Sequence, residues 1–389
     1  MNTTFCGKGA AIFDNARFSG DRGANFIGAE FIGEGGADFH SAKFFGEGGT
    51  YFISAIFSGK GGANFRWATF SGEKGTSFRG TEFSGEGSAD FSGTEFSGKG
   101  GVTFQLVKVS STVKLSFKDT KFLCEDRISF EDVTFEKECI INFNSVKVKN
   151  PKNLFFRNTY LGGTSFYLTD IEEFNFKNVK FRKYPSEKLN WFKRFISIRR
   201  AGLIDEIWNN IAEEDDQREY NEQYYSQVEI IYRQLKRNFE EQRDYAKAGD
   251  FHYGEMEMKR LQKNKFGQFI SLTAFYKYFS GYGQKWTRAL FWFLGFVALF
   301  TLLNLIWLHP NEISKSNINI QGDSKIEETD ELVTKFDAFL YTFNTMTLRK
   351  YDKFEITSKI GSLFVIVQSA IGPAILALML LAIRRQFRR

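Results

Sequence analysis

The sequence is poor in the residues that build many catalytic, metal-binding and disulfide-stabilised sites. Its 389 residues include 3 Cys, 3 His and 4 Pro. No CxxC spacing joins Cys6, Cys124 and Cys139, which argues against a disulfide framework and predicts reduced thiols, as in a cytosolic protein. The three histidines are too far apart in the chain to suggest a zinc site or a Ser-His-Asp triad. The sequence therefore favours a protein that is not an enzyme and needs no metal or other cofactor.

The sequence also lacks a dominant charge. There are 52 Lys and Arg against 46 Asp and Glu, which gives a formal net charge of +6. Without a basic stripe, we expect no binding of nucleic acid. We also expect no secretory signal, because a repeat begins close to Met1.

Phenylalanine and glycine are abundant instead, with 46 and 35 residues, and they recur at fixed spacing in the first part of the chain. Two series of phenylalanines each recur at every thirteenth position. The first series is Phe5, Phe18, Phe31, Phe44, Phe57, Phe70, Phe83 and Phe96. The second series is Phe13, Phe26, Phe39, Phe52, Phe65, Phe78, Phe91 and Phe104. A fixed period of this kind is typical of a solenoid.

Each period consists of two five-residue pieces and a three-residue insert that is usually rich in glycine, as in residues 34–36. A small residue generally precedes each phenylalanine by two positions. After Phe156 the inserts disappear, and apolar residues continue at a spacing of five through Phe181. The five-residue piece is therefore the structural unit, with its phenylalanine facing inward. Four pieces and two inserts predict a coil that spans two periods; a flattened coil of a single period is the alternative.

This pattern resembles the pentapeptide-repeat family over residues 1–183. The resemblance implies a right-handed quadrilateral β-helix with four pentapeptides per coil. Its surface would bind or sense a partner, or the β-helix would serve as a rigid spacer or oligomerisation module. Some members of that family mimic DNA with an acidic surface, but the nearly balanced charge of residues 1–183 argues against that activity here.

The middle of the chain is poor in glycine and has helical periodicity. Residues 187–211 are expected to form a basic amphipathic helix, which would either lie on a membrane surface or cap the open end of the β-helix. A second helix is predicted over residues 218–243, and Gly249 is expected to end a helix. Glu255 and Glu257 are expected to be solvated or paired charges and not catalytic acids.

Two long apolar runs predict transmembrane helices near the C-terminus. Residues 289–308 and residues 360–383 carry no charge, and each is long enough to cross about 30 Å of bilayer. Lys285 and Arg288 precede the first run, and a cluster of arginines follows the second. Positive flanks predict that both termini are cytoplasmic and that the protein is a multi-pass protein of the inner or plasma membrane.

Between these runs lies a shorter apolar segment, residues 336–347, which predicts a helix of about 18 Å that is too short to cross a bilayer. The loop after it aligns with the Thr-Val-Gly-Tyr-Gly-Asp filter of potassium channels. The aligned residues are Thr347, Leu348, Arg349, Lys350, Tyr351 and Asp352. The C-terminal part therefore resembles a two-transmembrane potassium-channel pore with a re-entrant pore helix. In the second span, Gly372 occupies the position of a gating hinge, and Pro373 would weaken the helix there.

The filter-like loop departs from that pattern where its chemistry matters. Arg349 and Tyr351 replace the two glycines that let a potassium filter aim its carbonyl groups at the axis, and Lys350 replaces the aromatic residue. Rings of Arg or Lys favour anions, and Asp352 would neutralise part of the charge. The sequence therefore predicts a pore that is weakly selective or anion-leaning; the alternative is a vestigial pore whose spans are only an anchor.

These observations together predict a multidomain protein. Residues 1–183 would be the pentapeptide-repeat β-helix, residues 184–284 a cytoplasmic helical linker, and residues 285–389 an all-α pore-like domain with two transmembrane helices. The expected function is a homotetrameric ion channel regulated by its β-helix, in contact with membrane lipids, permeant ions and an unknown cytoplasmic ligand or protein. The alternative is a membrane-anchored scaffold that presents the β-helix to a partner.

Overall fold

The computed structural model describes most of the chain, and its contacts divide the chain into two compact units, Met1–Asn264 and Lys265–Arg389. The described residues are 3–110, 113–135, 139–184, 199–210, 219–307, 309–310, 334–349, 354–355 and 359–387. The first unit therefore includes part of the segment that the sequence analysis assigned to a linker.

The first unit begins with a β-solenoid of about six turns, as the sequence predicts. Its strands form four parallel sheets. The first sheet contains Thr4–Phe5 (β1), Glu30–Phe31 (β5), Ile56–Phe57 (β9), Glu82–Phe83 (β13), Lys108–Val109 (β17) and Thr134–Phe135 (β21). The second contains Ala11–Ile12 (β2), Ala37–Asp38 (β6), Ala63–Asn64 (β10), Ala89–Asp90 (β14), Leu115–Ser116 (β18), Ile141–Asn142 (β22) and Thr164–Ser165 (β25).

The other two sheets have the same organisation. The third contains Arg17–Ser19 (β3), Lys43–Phe45 (β7), Thr69–Phe70 (β11), Glu95–Phe96 (β15), Lys121–Phe122 (β19) and Lys147–Val148 (β23). The fourth contains Ala24–Asn25 (β4), Thr50–Tyr51 (β8), Thr76–Ser77 (β12), Val102–Thr103 (β16), Ile128–Glu131 (β20), Leu154–Arg157 (β24) and Asn175–Lys177 (β26). A 3₁₀ turn, Pro151–Asn153, precedes β24.

Strand pairing fixes the length of one coil. Ala63 pairs with Ala37 on one side and with Ala89 on the other. Beside this ladder, the Asn64 side chain donates a hydrogen bond to Asp38 in the preceding coil, 26 residues away. The coil of two periods is therefore confirmed for this stretch. The flattened coil of one period is wrong, because the strands here pair with the fourth strand after them and not with the second.

The core of the solenoid is a ladder of phenylalanine rings, whose inward direction the repeat predicts. Phe65 is fully buried and stacks on Phe39 and Phe91, with ring centroids 4.9 and 4.8 Å apart. It also meets Phe52 edge to face at 5.4 Å. Stacked and edge-to-face pairs are the two favoured arrangements of aromatic rings. Phe65 is thus stacked on the rings of the neighbouring coils and edge-on to Phe52 within its own coil.

The glycines of the inserts allow neighbouring coils to approach closely. Gly36 and Gly62 have φ angles of +74° and +76°, a backbone conformation that favours glycine. A Cβ atom at Gly36 would lie 2.3 Å from the carbonyl oxygen of Gly62. These two inserts thus use glycine where the chain has a positive φ.

Helices cover the last coil of the solenoid. Gln234 accepts a hydrogen bond from the backbone N–H of Ile171 (3.2 Å), and Asn238 donates one to the carbonyl oxygen of Phe174 (2.6 Å). Both side chains belong to helix α1, Glu222–Glu241. Phe239 of α1 also packs on Phe176, with ring centroids 6.3 Å apart. Helix α1 therefore continues the hydrophobic core and binds backbone groups of the final coil.

The segment expected to form a helix over residues 187–211 differs where it is described. Residues 185–198 lie outside the described residues. Arg200–Gly202 (β28) pairs antiparallel with Arg182–Tyr184 (β27), and Ile204–Asn210 forms a 3₁₀ segment. The predicted helix is therefore wrong after residue 199. Pairing with the end of the solenoid, and the buried ion pair of Arg200 with Glu206, outweigh the helical periodicity of this segment.

The helix that follows α1 does not end at Gly249, so the expected helix end there is wrong. Helix α2 is continuous over Tyr245–Leu261, and the break lies at Arg243, which has a φ of 60°. Asp244 caps the new helix by accepting a hydrogen bond from the backbone N–H of Lys247. The glycines inside α2 allow close packing, because a Cβ atom at Gly254 would lie 2.4 Å from the ring of Tyr232.

Glu255 and Glu257 are paired charges, in agreement with the sequence analysis. Glu257 pairs with Arg260 at 2.8 Å. Glu255 accepts hydrogen bonds from Lys236 (2.7 Å) and Arg233 (3.3 Å) and lies beside His252. Burial favours the neutral form of Glu255, but its bonds to His252, Lys236 and Arg233 outweigh burial and lower its pKa from 4.5 to about 2.

The second unit is helical. Two short helices, Lys265–Phe269 (α3) and Leu272–Ser280 (α4), precede the long helix Trp286–Trp307 (α5). A short helix, Lys335–Met346 (α6), and a second long helix, Lys359–Phe387 (α7), follow. Residues His309–Pro310 (β29) and Phe354–Glu355 (β30) form an antiparallel pair. The two long helices and the short one between them confirm the predicted elements to within a few residues.

We predict that the phenylalanine ladder carries the stability of the solenoid. Phe65→Ala should lower the free energy of unfolding by about 3–5 kcal/mol, because it removes two stacked contacts and leaves a cavity. Leu106→Ala, at a half-exposed position, should change it by less than about 0.5 kcal/mol. Pulse proteolysis of the full-length protein in urea and detergent measures both changes. Equal effects of the two substitutions would contradict the ladder.

We predict that the charge of Glu255 stabilises the first unit above its unfolded pKa. The folded pKa is lower than 4.5, so the unfolded state takes up the proton first as the pH falls. The stability lost in Glu255→Gln should shrink as the pH falls from 4.5 to about 2. Exposed Glu241→Gln is the matched control. A difference that does not change across this pH range would contradict the prediction.

Candidate functional site

The candidate site is built around α6, the short helix between the two long ones. A capping box fixes the start of α6: Thr334 accepts a hydrogen bond from the backbone N–H of Asp337, and the Asp337 carboxylate accepts one from the backbone N–H of Thr334. Helix α6 packs against both α5 and α7. The chain thus holds α6 between the two helices that have the length and composition of membrane spans.

A buried cluster of polar side chains joins these three helices. Asn304 of α5, Thr342 of α6 and Gln368 of α7 are all fully buried. Asn304 Nδ2 donates to Thr342 Oγ1 at 2.8 Å, and Gln368 Nε2 donates to Asn304 Oδ1 at 3.1 Å. The Thr342 hydroxyl in turn donates to the carbonyl oxygen of Ala338. We call these three residues the amide cluster; each buried amide is satisfied by a neighbouring helix, as buried polar groups require.

The residues of the predicted hinge lie beside the end of α6. A Cβ atom at Gly372 would lie only 2.2 Å from the carbonyl oxygen of Met346. Helix α7 is continuous through Pro373. The lack of a side chain at Gly372 therefore lets α7 touch the backbone of α6 one residue before Thr347. The hinge role of Gly372 and Pro373 stays a prediction, but the structure brings Gly372 next to the filter-like loop.

The first half of the filter-like loop forms the C-terminal cap of α6. Leu348 has a φ of 58°. Its backbone N–H donates to the carbonyl oxygen of Thr345 at 3.2 Å, and that of Arg349 donates to Asn344 at 2.7 Å. This pair of bonds is the Schellman motif, with a leucine at the left-handed position that usually holds glycine. The backbone around Thr347–Arg349 is therefore coiled and not extended. Lys350, Tyr351 and Asp352 lie outside the described residues.

The strand pair β29–β30 joins the ends of the two long helices that flank α6 in the chain. β29 follows α5 directly, and β30 shortly precedes α7. The C-terminal end of α5 and the N-terminal end of α7 are therefore side by side, whereas the C-terminal end of α6 lies against Gly372, near the middle of α7. Leu348 and Arg349, which follow this end of α6, are exposed.

The outer surfaces of α5 and α7 are apolar and exposed. Only 28% of the most apolar stretch of α5 and 17% of that of α7 are buried within the chain. The core helix of a water-soluble domain would be mostly buried, and neither helix is near the N-terminus, where a signal sequence would lie. Exposed members include Phe291, Leu294, Leu302, Ile306, Leu363, Ile366 and Leu380. Both helices are long and apolar enough to cross a membrane.

The amide cluster was missed by the sequence analysis, although a signal for it exists. Asn304 and Gln368 are the one amide side chain in each of the two long apolar runs. A buried polar residue within a membrane span is costly unless it has a partner, so two such residues in adjacent spans suggest that they bind each other. Thr342 had no comparable signal, because threonine is common in apolar helices.

Within the described residues, no group of three or more Cys, His, Asp or Glu side chains could hold a metal ion. Cys6, Cys124 and Cys139 form no disulfide bond. Burial raises the pKa of the Cys124 thiol to about 11. Its pKa is that of an inert structural cysteine and not of a nucleophile.

No family model, no curated protein and no solved structure matches the chain. The function is therefore inferred from the residues and their geometry.

We predict that the contact at Gly372 holds α6 in place. Gly372→Ala should force α6 and α7 apart. The free energy needed to break the backbone hydrogen bonds of α6 should then fall by about 1–3 kcal/mol. Gly295→Ala is the matched control, because a Cβ atom there would meet nothing within 4 Å; it should be neutral or stabilising by up to about 1 kcal/mol. Hydrogen exchange of α6 in the detergent-solubilised protein measures both effects. Equal exchange in the two variants would contradict the contact.

Proposed function

We propose that this chain is one subunit of a homotetrameric membrane ion channel with a potassium-channel-like architecture and a non-standard filter. The proposal includes a right-handed quadrilateral β-helix in the cytoplasm, cytoplasmic termini, and an inner or plasma membrane location. Helix α6 would be the re-entrant pore helix and would rest among lipid-embedded spans. The cytoplasmic β-helix would regulate the pore in response to a ligand or protein.

The observation that carries the proposal is the clamped short helix. Helix α6 has 12 residues, too few to cross about 30 Å of bilayer. A helix of this length that only connected two anchoring spans would need no buried contact with them. Instead, the amide cluster and the close approach at Gly372 bind α6 to both long helices. This arrangement supports a membrane-embedded helix that orients the loop after it.

The chemistry of the loop supports a weakly selective or anion-leaning pore. Arg349 is exposed at the end of α6, and a Schellman cap occupies the backbone where a potassium filter would be extended. Four subunits would bring Arg349 and Lys350 together around one axis, and rings of such cations favour anions. Asp352 would offset part of this charge.

The same cap is the observation that favours the alternative, a membrane-anchored scaffold. The capped carbonyl groups at the end of α6 already accept backbone hydrogen bonds, so they do not need to coordinate an ion. In that case the two spans and α6 would form a compact anchor with a vestigial pore, and the solenoid would present its surface to a partner.

We predict that the purified full-length protein conducts ions in planar bilayers. Under a KCl gradient, its reversal potential should lie near zero or toward the chloride equilibrium potential. Replacing Arg349 and Lys350 together by glutamine should move it toward the potassium equilibrium potential, because the cationic ring is removed. Lys335→Gln, which removes an exposed cation at the other end of α6, is the matched control and should leave it unchanged.

Two outcomes would contradict parts of this account. An unchanged reversal potential in the double variant would overturn the role of the two cations. Silence of the natural protein over a wide voltage range would favour the scaffold.

A further inference from the structure

The segment before the first long helix exposes an unusual amount of apolar surface. Leu272 is 87% exposed and Phe275 is 50% exposed. With Tyr278 they are spaced by three residues, so they lie along one face of α4. The short helix α3 and the residue after it add more exposed apolar side chains just before α4. These are Phe266, Phe269 and Ile270.

The opposite face of α4 is fixed against the start of α5. Ala274 and Ser280 are fully buried. The ring of Phe279 packs against Trp292 of α5, with centroids 5.3 Å apart, and against Phe296 at 6.2 Å. Helix α4 is therefore a fixed part of the second unit, and its exposed apolar face has a defined direction.

Two arginines hold α4 at the ends of both long helices. Arg288, in the first turn of α5, donates from Nη1 to the carbonyl oxygen of Lys277 at 3.1 Å. Arg385, in the last turn of α7, donates from Nη1 to the carbonyl oxygen of Tyr282 at 2.8 Å. The N-terminal end of α5, the C-terminal end of α7 and the C-terminal end of α4 thus meet at one level.

We propose that residues 265–280 lie in the interface of an anionic lipid bilayer, with Leu272, Phe275 and Tyr278 at the boundary of the acyl chains. This inference rests on the proposed membrane location of α5 and α7. If these helices span a bilayer, the level at which α4 is held is that of the headgroups. The face that points outward there is apolar and rich in aromatic residues, which suits an interfacial helix.

Charge identifies the kind of lipid. Lys265 and Arg384 are exposed, and Lys277 and Lys285 lie in or directly after the same segment. No Asp or Glu occurs in residues 258–293 or in residues 356–389. An apolar face beside cations with no acidic residue nearby in either segment is complementary to anionic headgroups.

The depth of a spin label measures this arrangement in the full-length protein. Cys6→Ser removes the exposed native thiol, while Cys124 and Cys139 are buried. The Phe275→Cys variant, in nanodiscs of phosphatidylcholine with phosphatidylglycerol, is then labelled. Its accessibility to oxygen and to a water-soluble nickel complex should place the label about 5–10 Å below the phosphate level. In discs of phosphatidylcholine alone, we expect a shallower label.

Labels at two control positions distinguish the possible outcomes of this experiment. A label on Leu302→Cys, exposed on α5, should report deep lipid, and a label on Leu106→Cys, in the solenoid, should report water. If Leu302 reports water, the membrane location fails and the inference fails with it. If Leu302 reports lipid but Phe275 reports water, or is shielded from both reagents by protein, the interfacial helix alone is overturned. An equal depth in both kinds of disc would overturn the preference for anionic lipid.

Discussion

Parallel pairing between residues one full coil apart is the constraint on which the first unit depends. Once Ala63 pairs with Ala37 and Ala89, every central phenylalanine must lie over its counterpart in the next coil. Rings such as Phe65 then stack along the solenoid, with centroids 4.9 and 4.8 Å from those of Phe39 and Phe91. The same register brings the glycines of successive inserts together, where a Cβ atom would collide with backbone. The same pairing interval therefore explains both the stacked phenylalanines and the glycines of the inserts.

A solenoid of this kind leaves backbone groups unpaired at its ends. At the last coil of this one, side chains bind such groups. At the last coil, Gln234 and Asn238 of α1 bind backbone groups, and Asp205 accepts a hydrogen bond from the backbone N–H of Phe166. The helices beyond the repeat thus belong to the first unit. Exposed sheet edges invite pairing with other chains, so this cap protects the last coil of the solenoid.

Periodic features were predictable from the sequence, and features that depend on single distant contacts were not. The repeat predicted the inward phenylalanines and the length of the coil, and the two uncharged runs predicted α5 and α7. Residues 200–210 were predicted as helix because periodicity does not report the pairing of β27 with β28. The break at Arg243 and the continuous helix through Gly249 follow from capping by Asp244 and from the packing of Gly254 on Tyr232. The amide cluster depends on side chains up to 64 residues apart, which no local pattern reveals.

The second unit combines two features that together suggest a shared pore. Its long helices expose apolar faces, while α6 is clamped by the amide cluster and carries Arg349 at its end. Native mass spectrometry of the full-length protein, released from lipid nanodiscs, tests this account most directly. A complex of four chains is the predicted result, because a pore of this architecture needs four loops around one axis. A single chain in the same lipid would contradict the channel and support an anchored scaffold.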